Sequence, residues 1–168
     1  MTVSSSDFEE FVEARWPALV RAACLLGCSV PEAEDLVQST LAKCYVHWGR
    51  VSRAGNPDKY VYTALLNQLR TSRRRRWWSE RPTDEVPEEV QPGAADLDRA
   101  LLVQDALGRL STAQRSVVIA RHILDFSESE TAEILGVAPG TVKSRLSRAL
   151  ALLANDPDIL SINRTETS

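Results

Sequence analysis

The sequence predicts an all-α protein made of two small helical domains joined by a flexible acidic linker. Apolar residues recur at helical spacing along most of the 168 residues, and no stretch alternates apolar and polar residues for long enough to make a convincing strand. Three capping-box patterns mark the starts of helices. The net charge of −3 hides a segregation, because two mildly basic blocks flank a strongly acidic segment.

The first block, residues 1–80, is predicted to contain about three helices. One face of its first helix carries the apolar residues Phe8, Phe11, Val12, Leu19 and Ala23. Pro17 cannot donate a backbone hydrogen bond, so we expect a kink or a restart near Trp16 and an end at Gly27.

The second and third helices of this block have clear start signals. Ser29 and Glu32 form a capping box, and the helix that follows should run to about Trp48 and stop at Gly49. Asn56 is then the N-cap of a third helix, with a proline at the first helical position.

The third helix ends in RTSRRRRWW, residues 70–78, which holds five arginines and two adjacent tryptophans. One interpretation is a solvated basic helix end, since cations stabilise a helix C-terminus. The other is a phosphate-binding stripe, in which each phosphate contact releases counterions. We expect one of Trp77 and Trp78 to lie in the core, and the other could stack on unpaired bases.

Residues 81–96 are predicted to be a flexible, proline-rich acidic linker. The surrounding stretch 79–97 contains three prolines and a glycine, and residues 81–98 hold one basic against six acidic side chains. Such a composition cannot bury enough apolar area to fold alone.

The second block, residues 97–155, is predicted to be a four-helix domain. Its helix starts are marked in order by Leu97, Ser111, Ser127 and Pro139. The second and third of these signals are capping boxes. A polar C-terminal tail, residues 156–168, should follow, with no further domain attached.

The segment SESETAEILGVAPGTVKSRLSRAL, residues 127–150, has the pattern of a helix-turn-helix. In its second helix the predicted buried stripe consists of Val142, Leu146, Ala149, Leu150 and Leu153. The opposite face carries Thr141, Lys143, Ser144, Arg145, Ser147 and Arg148. A solvated structural face is the alternative, but short hydroxyls and long cations suit a major groove, where arginine can bridge two acceptors of guanine.

The residue pattern does not favour an enzyme, a cofactor or a metal site. Cys24, Cys28, Cys44 and His47 could be drawn as four zinc ligands, but their spacing matches no common zinc module. Small core cysteines are the favoured interpretation. The histidines have no partners at nucleophile or metal spacing, and no glycine-rich phosphate loop is present.

Nothing in the sequence predicts membrane insertion. No run approaches the ~20 apolar residues that a transmembrane helix needs. The N-terminus MTVSSSDFEE is acidic and lacks the basic and apolar regions of a signal peptide, so we expect the protein to stay in the cytoplasm.

These segments together resemble the extracytoplasmic-function (ECF) sigma factors of bacterial RNA polymerase, and most closely their SigE-like branch. The resemblance covers nearly all of residues 7–154. It is carried, in order, by DFEEFVEARWPALVRAA, AEDLVQSTLAKCYVHW, NPDKYVYTALLNQLRTSRRRRW and the helix-turn-helix with its ending PGTVKSRLSRALALL.

The resemblance implies a protein that recognises promoters and makes no covalent bonds itself. Residues 1–80 would bind core polymerase and would recognise and melt the minus-ten element, with Asp35 and Gln38 facing the clamp helices of the largest subunit. The downstream DNA contacts would come from Asn56, Tyr60, Asn67, Arg70, Arg73, Arg74, Arg75, Arg76 and Trp77. The helix-turn-helix would read the minus-thirty-five element, and the acidic linker would thread polymerase channels. An anti-sigma factor is a further possible partner.

A stand-alone regulator of the LuxR type is the alternative, because its helix-turn-helix is nearly the same. The first block favours the sigma factor, since its basic third helix has no role in a simple repressor. Two positions depart from the sigma pattern. Ala138 replaces a serine that would cap the recognition helix, and Thr71 stands where relatives often carry an acidic or amide residue.

Overall fold

The computed structural model describes residues 5–53, 55–78 and 94–165, and throughout these ranges the regular structure is helical. The chain divides into two compact units. The helices of the first are α1 (Ser5–Leu25), α2 (Val30–Val46), α3 (Trp48–Val51) and α4 (Pro57–Trp78). Those of the second are α5 (Ala94–Gly108), α6 (Thr112–Val118), α7 (Glu128–Leu135), α8 (Pro139–Ala154) and α9 (Pro157–Thr165). The all-α prediction is confirmed.

Helix α1 passes through Pro17 without interruption, so of the two expected outcomes the restart near Trp16 is wrong and the kink stays a prediction. Burial outweighs the missing hydrogen bond, because Leu19, Ala22 and Ala23 are buried directly after the proline. The end of the helix was placed correctly. Gly27 has φ 100, and the N–H of the next residue donates to the carbonyl of Ala23 at 3.1 Å, as in a Schellman motif.

Helix α2 ends at Val46 rather than near Trp48, and Gly49 lies inside the short helix α3. The cause is an aromatic cluster. The Trp48 ring lies 5.0 Å from that of Phe8 and 4.9 Å from that of Phe11, measured between ring centroids. Packing against α1 therefore fixes the chain at Trp48 and separates it from α2.

Helices α2 and α4 pack against each other and supply much of the first unit's core. Both have a buried apolar stripe, and Val37, Val61 and Leu65 are fully buried within it. The Glu32 carboxylate accepts a hydrogen bond from the Ser29 N–H at 2.8 Å, as its capping box predicted.

The second unit contains one helix more than predicted. Helix α5 begins at Ala94, before the expected start at Leu97, and a π-helical turn, Ile119–Ile123, extends α6. Both capping boxes are present. The Ser111 and Ser127 hydroxyls accept from backbone N–H groups three residues later at 3.2 and 3.1 Å. The linker prediction falls mostly on residues 79–93, outside the described residues.

The predicted polar tail, residues 156–168, instead forms α9 over most of its length. The buried Asp156 caps this helix by accepting from the N–H of Asp158 at 3.0 Å. Arg109, at the end of α5, donates to both Asp156 oxygens at 2.9 and 2.8 Å and to Asp158 at 2.6 Å. This ion-pair cluster joins the start of α9 to the residue that follows α5.

Acid should release α9 before it unfolds α8. Burial opposes ionisation of Asp156, but hydrogen bonds from Arg109 and from backbone N–H groups hold the pKa of Asp156 below its ordinary value of 3.8. A lowered pKa stabilises the folded state at neutral pH, and that contribution is lost as pH falls through the folded pKa. We expect hydrogen-exchange protection factors in α9 to fall as the pH drops below about 4, while those in α8 persist.

The variant Arg109→Met supplies the comparison for this experiment, since it should lower α9 protection already at neutral pH. Equal protection of α9 and α8 down to about pH 2, and equal protection in Arg109→Met at neutral pH, would show that the ion-pair cluster does not hold the helix.

The cysteines behave as core residues. None of the three is in a disulfide, Cys28 and Cys44 are buried, and burial raises the pKa of the Cys44 thiol to about 11. A protonated thiol is a poor metal ligand. Within the described ranges no three His, Cys, Asp or Glu side chains gather as a metal site would require. No described helix is long and apolar enough to cross a membrane.

Candidate nucleic-acid interface

Helices α7 and α8 form the predicted helix-turn-helix. Their crossing is held by a buried apolar cluster of Val117, Ala132 and Val142, one residue from each of α6, α7 and α8. Leu135, Val137 and Leu146 pack against this cluster. The small Ala132 side chain lets the two helices approach closely.

The turn between the two helices requires glycine for its backbone. Gly136 has φ 65 and ψ 39, a left-handed conformation that costs other residues strain. The N–H of Val137 then donates to the carbonyl of Ala132 at 3.0 Å, which closes the C-terminus of α7. Ala138 follows in an extended conformation as the N-cap of α8, and it offers no side-chain acceptor.

The substitution Ala138→Ser should stabilise the protein by about 1 kcal/mol. The backbone already has the N-cap geometry, with φ −69 and ψ 148, and the side chain is exposed. The Thr141 N–H already donates to the Ala138 carbonyl at 2.9 Å, so a serine hydroxyl could share that donor or accept from the Gly140 N–H. For a unit of this size we expect the melting temperature to rise by about 4–8 °C.

The control is Ala151→Ser, which places serine at an exposed position inside α8 where no cap is needed. That variant should melt slightly below the wild type, because serine is a weaker helix former than alanine. If both variants melted alike, the missing cap would not limit the stability of α8.

The polar side of α8 is only partly exposed. Lys143, Ser147 and Arg148 are exposed, whereas Thr141, Ser144 and Arg145 are half-buried. Arg145 lies about 60° around the helix from the buried Val142, so it borders the core rather than opposing it. The Ser144 hydroxyl donates to the Thr141 carbonyl at 3.2 Å. Of the predicted buried stripe, Leu150 is the exception, with 41% of its surface exposed.

In the first unit, two contacts position the start of α4. The Asn56 side-chain oxygen accepts from the Lys59 N–H at 3.0 Å, which confirms the predicted N-cap. One residue into the helix, Asp58 forms a two-point ion pair with Arg15 of α1, with an Nε–Oδ1 distance of 2.6 Å. The pair joins α1 to the segment that presents Asn56.

Helix α4 extends beyond the core of its unit. Leu69 is the last buried residue that the structure describes along α4, and its successors up to residue 75 are exposed or half-buried. The helix period places Tyr60, Asn67 and Arg74 on one side, opposite the buried stripe, with Arg70 close by. Arg73 and Arg75 point to the two flanks. The arginines therefore surround the helix instead of forming one stripe.

Arg70 and Thr71, in the C-terminal half of α4, each interact with another residue of the same helix. Burial raises the pKa of Tyr62, and the charge of Arg70 opposes that rise. The Thr71 hydroxyl donates to the Asn67 carbonyl at 2.9 Å, so it is satisfied within the helix. The side chains of Arg76, Trp77 and Trp78 lie outside the described residues. The prediction that one of the two tryptophans lies in the core therefore also falls outside them.

Asp35 and Gln38 lie together on α2, as the sequence suggested. Both are exposed and are separated by about one helical turn, on the side opposite the buried residues of the helix. They do not share the face of α2 that packs against α4. The two candidate surfaces of the first unit are thus on different helices.

Sequence reasoning missed a polar network that connects these two helices. Gln68 of α4 is hydrogen-bonded to Ser39 and, at 3.1 Å, to Lys43 of α2. The available signal was the presence of polar residues beside a buried stripe. Their pairing could not be predicted, because Gln68 lies 29 residues from Ser39 and 25 residues from Lys43 in the chain.

Comparison with known proteins identifies the family of both units. The family models of Sigma-70 region 2 and of Sigma-70, region 4 match residues 11–79 and 100–153. The region 2 match favours a sigma factor over a LuxR-like regulator. The RNA polymerase sigma-E factor of Streptomyces coelicolor is 40% identical over 172 aligned positions, which cover 95% of this chain and 94% of that protein.

Two further relatives agree. The ECF RNA polymerase sigma factor SigL of Mycobacterium tuberculosis is 31% identical over 167 positions, covering 94% of this chain and 90% of that protein. The solved structure of the sigma factor RpoE in complex with the anti-sigma factor NepR, from Bartonella quintana, superposes with a TM-score of 0.74 at 30% identity, covering 93% of this chain and 98% of that one. The chain therefore belongs to the extracytoplasmic-function sigma factors of bacterial RNA polymerase.

Proposed function

We propose that this protein binds core RNA polymerase in the cytoplasm and directs it to promoters through two DNA-binding surfaces. One observation carries the proposal. A region 2 unit with an arginine-bearing helix that extends beyond its core precedes a region 4 unit with an intact helix-turn-helix.

Helix α4 is proposed to recognise and melt the downstream promoter element. Tyr60, Asn67 and Arg74 share one side of the helix, so an aromatic ring, an amide and a cation face the same strand. Flipping a base out of the stack costs a few kcal/mol, and contacts of this kind make melting favourable. The Asn56 oxygen caps α4, so a base captured there would be bound by its amide NH₂ group.

The remaining cations of α4 are proposed to neutralise phosphates. Arg70, Arg73 and Arg75 are exposed on different sides of the helix, an arrangement that suits two strands as they separate. Arg76 and Trp77 belong to the same proposal on sequence grounds alone.

Helix α8 is proposed to read the upstream element in the major groove. Lys143, Ser147 and Arg148 are exposed and would contact phosphates or base edges directly. Arg145 is half-buried at the border of the core, which holds its stem while the guanidinium reaches a guanine. Thr141 and Ser144 would approach the backbone at the N-terminal end of the helix.

The exposed face of α2 is proposed to contact the clamp helices of the largest polymerase subunit through Asp35 and Gln38. The first domain at residues 1–80, a linker that begins at residue 81 and its passage through polymerase channels remain part of this proposal, whereas the second unit includes α5 from Ala94 and α9. An anti-sigma factor is a proposed partner, because the related RpoE was solved in complex with one.

Run-off transcription with purified core polymerase on a promoter library tests the proposed function. We expect transcripts from a subset of promoters that share two elements, and none without the protein. A mobility-shift assay on the same DNA without polymerase provides the comparison. Tight binding of the protein alone, with no effect on polymerase, would instead indicate a stand-alone regulator.

A further inference from the structure

We propose that Gln68 is a positioning residue that holds the arginine-bearing end of α4 in register with the polymerase-facing side of α2. The inference depends on the function proposed above. Gln68 would keep the DNA-binding surface of α4 in a fixed position relative to the polymerase-binding surface of α2. Gln68 itself would contact neither polymerase nor DNA.

The amide of Gln68 is hydrogen-bonded at both ends by α2. Its Nε2 donates to the Ser39 Oγ, and its Oε1 accepts from the Lys43 Nζ at 3.1 Å. Ser39 and Lys43 are four residues apart on α2 and so lie about one turn from each other on one side of the helix. One side chain of α4 therefore spans a full turn of the neighbouring helix.

The hydroxyls of α2 determine which way the amide points. Ser39 and Thr40 both donate to the Leu36 carbonyl, at 3.2 and 2.7 Å. A hydroxyl has one proton, so Ser39 presents a lone pair to Gln68. The Thr40–Gln68 contact of 3.5 Å would compete with the shorter bond within α2. The effective partners are thus Ser39 and Lys43, and they fix the oxygen towards the ammonium and the nitrogen towards the hydroxyl.

This network differs in kind from the rest of the contact between the helices. Elsewhere each helix contributes buried apolar side chains, such as Val37 and Leu65. Apolar contacts are non-directional and tolerate small rearrangements. A hydrogen-bonded amide requires a defined distance and angle to each partner. Gln68 therefore adds a constraint on the rotation and axial position of α4 that the apolar contacts do not supply.

The network is also placed next to both functional surfaces. Gln68 follows Asn67 and precedes Arg70 by two residues, and Ser39 follows Gln38. A rotation or slide of α4 on α2 would move Asn67 and Arg70 relative to the surface that docks on polymerase. Because a docked polymerase fixes the path of the DNA, such a shift would misplace the contacts that melt it.

The test uses Gln68→Met in the full-length protein, which keeps the length of the side chain and removes both hydrogen bonds. We expect an unchanged melting temperature and unchanged affinity for core polymerase. Open-complex formation, followed by permanganate reactivity of unpaired thymines, should slow by about three- to tenfold, the range typical of a lost coupling contact. The control is Gln104→Met, the same substitution at an exposed site of α5, which should behave as wild type.

A second measurement tests the register directly. The distance distribution between spin labels on the exposed residues Ala42 and Thr71 should broaden in Gln68→Met and remain narrow in Gln104→Met. In the wild-type background, Ser39→Ala should slow open-complex formation. In the Gln68→Met background it should have no further effect, because the Ser39–Gln68 hydrogen bond is already lost.

A narrow distance distribution in Gln68→Met, or a loss of opening that only follows a loss of stability, would overturn the inference. Failure of the proposed function is distinguishable from this result. If the proposed function were wrong, the wild type itself would not open promoters with polymerase. The spin-label distances would still decide whether Gln68 fixes the position of α4 on α2.

Discussion

Replacing Arg70 and Arg74 by glutamine should reduce open-complex formation by about 30-fold, since each lost charge-assisted contact costs about 1 kcal/mol or more. The two residues lie one helical turn apart, close to the side of α4 that carries Tyr60 and Asn67. The dependence on salt should also flatten, with the slope of log K against log salt falling by about 1.4 to 1.8 in magnitude.

The matched control is Arg21→Gln/Arg50→Gln, which removes the same two charges from exposed positions on α1 and α3. It should leave both the rate of opening and the salt slope close to wild type. Rates and slopes are measured from permanganate footprints across a series of potassium salt concentrations. Equal losses in the two double variants would mean that total charge matters and that α4 has no special position on the DNA.

Helix starts marked by a capping residue were predictable from the sequence because the capping hydrogen bonds join residues only three positions apart. The boxes at Ser111 and Ser127 and the cap at Asn56 all form the expected hydrogen bonds. Helix ends that depend on distant residues were not predictable. The separation of α3 follows from Trp48 packing on α1, and the start of α9 is joined to Arg109, which is 47 residues from Asp156.

The candidate site was predictable in composition but not in orientation. A cluster of arginines after an apolar helix can be read from the sequence. The direction in which each arginine points depends on the register of the buried stripe that ends at Leu69. For the same reason Arg145 was expected opposite the core and is half-buried beside it, while Leu150 was expected inside and is exposed.

Replacing Arg145 by lysine should remove base preference while leaving the fold intact. Lysine keeps the charge and the apolar stem, which covers the border of the core, but it lacks the planar fork that bridges two guanine acceptors. We expect a loss of about 1–3 kcal/mol, or about 5- to 150-fold, on promoters that carry the recognised guanine and little change on others.

The comparison variant is Lys143→Ala, on the exposed side of the same helix. A phosphate contact carries no sequence information, so this change should weaken all promoters alike and lower the salt slope by about 1. Transcription from a library randomised in the upstream element measures both effects together. If Arg145→Lys reduced activity equally on every promoter without a change in melting temperature, Arg145 would be a phosphate contact, and the base-reading residue would have to lie among Ser147 and Arg148.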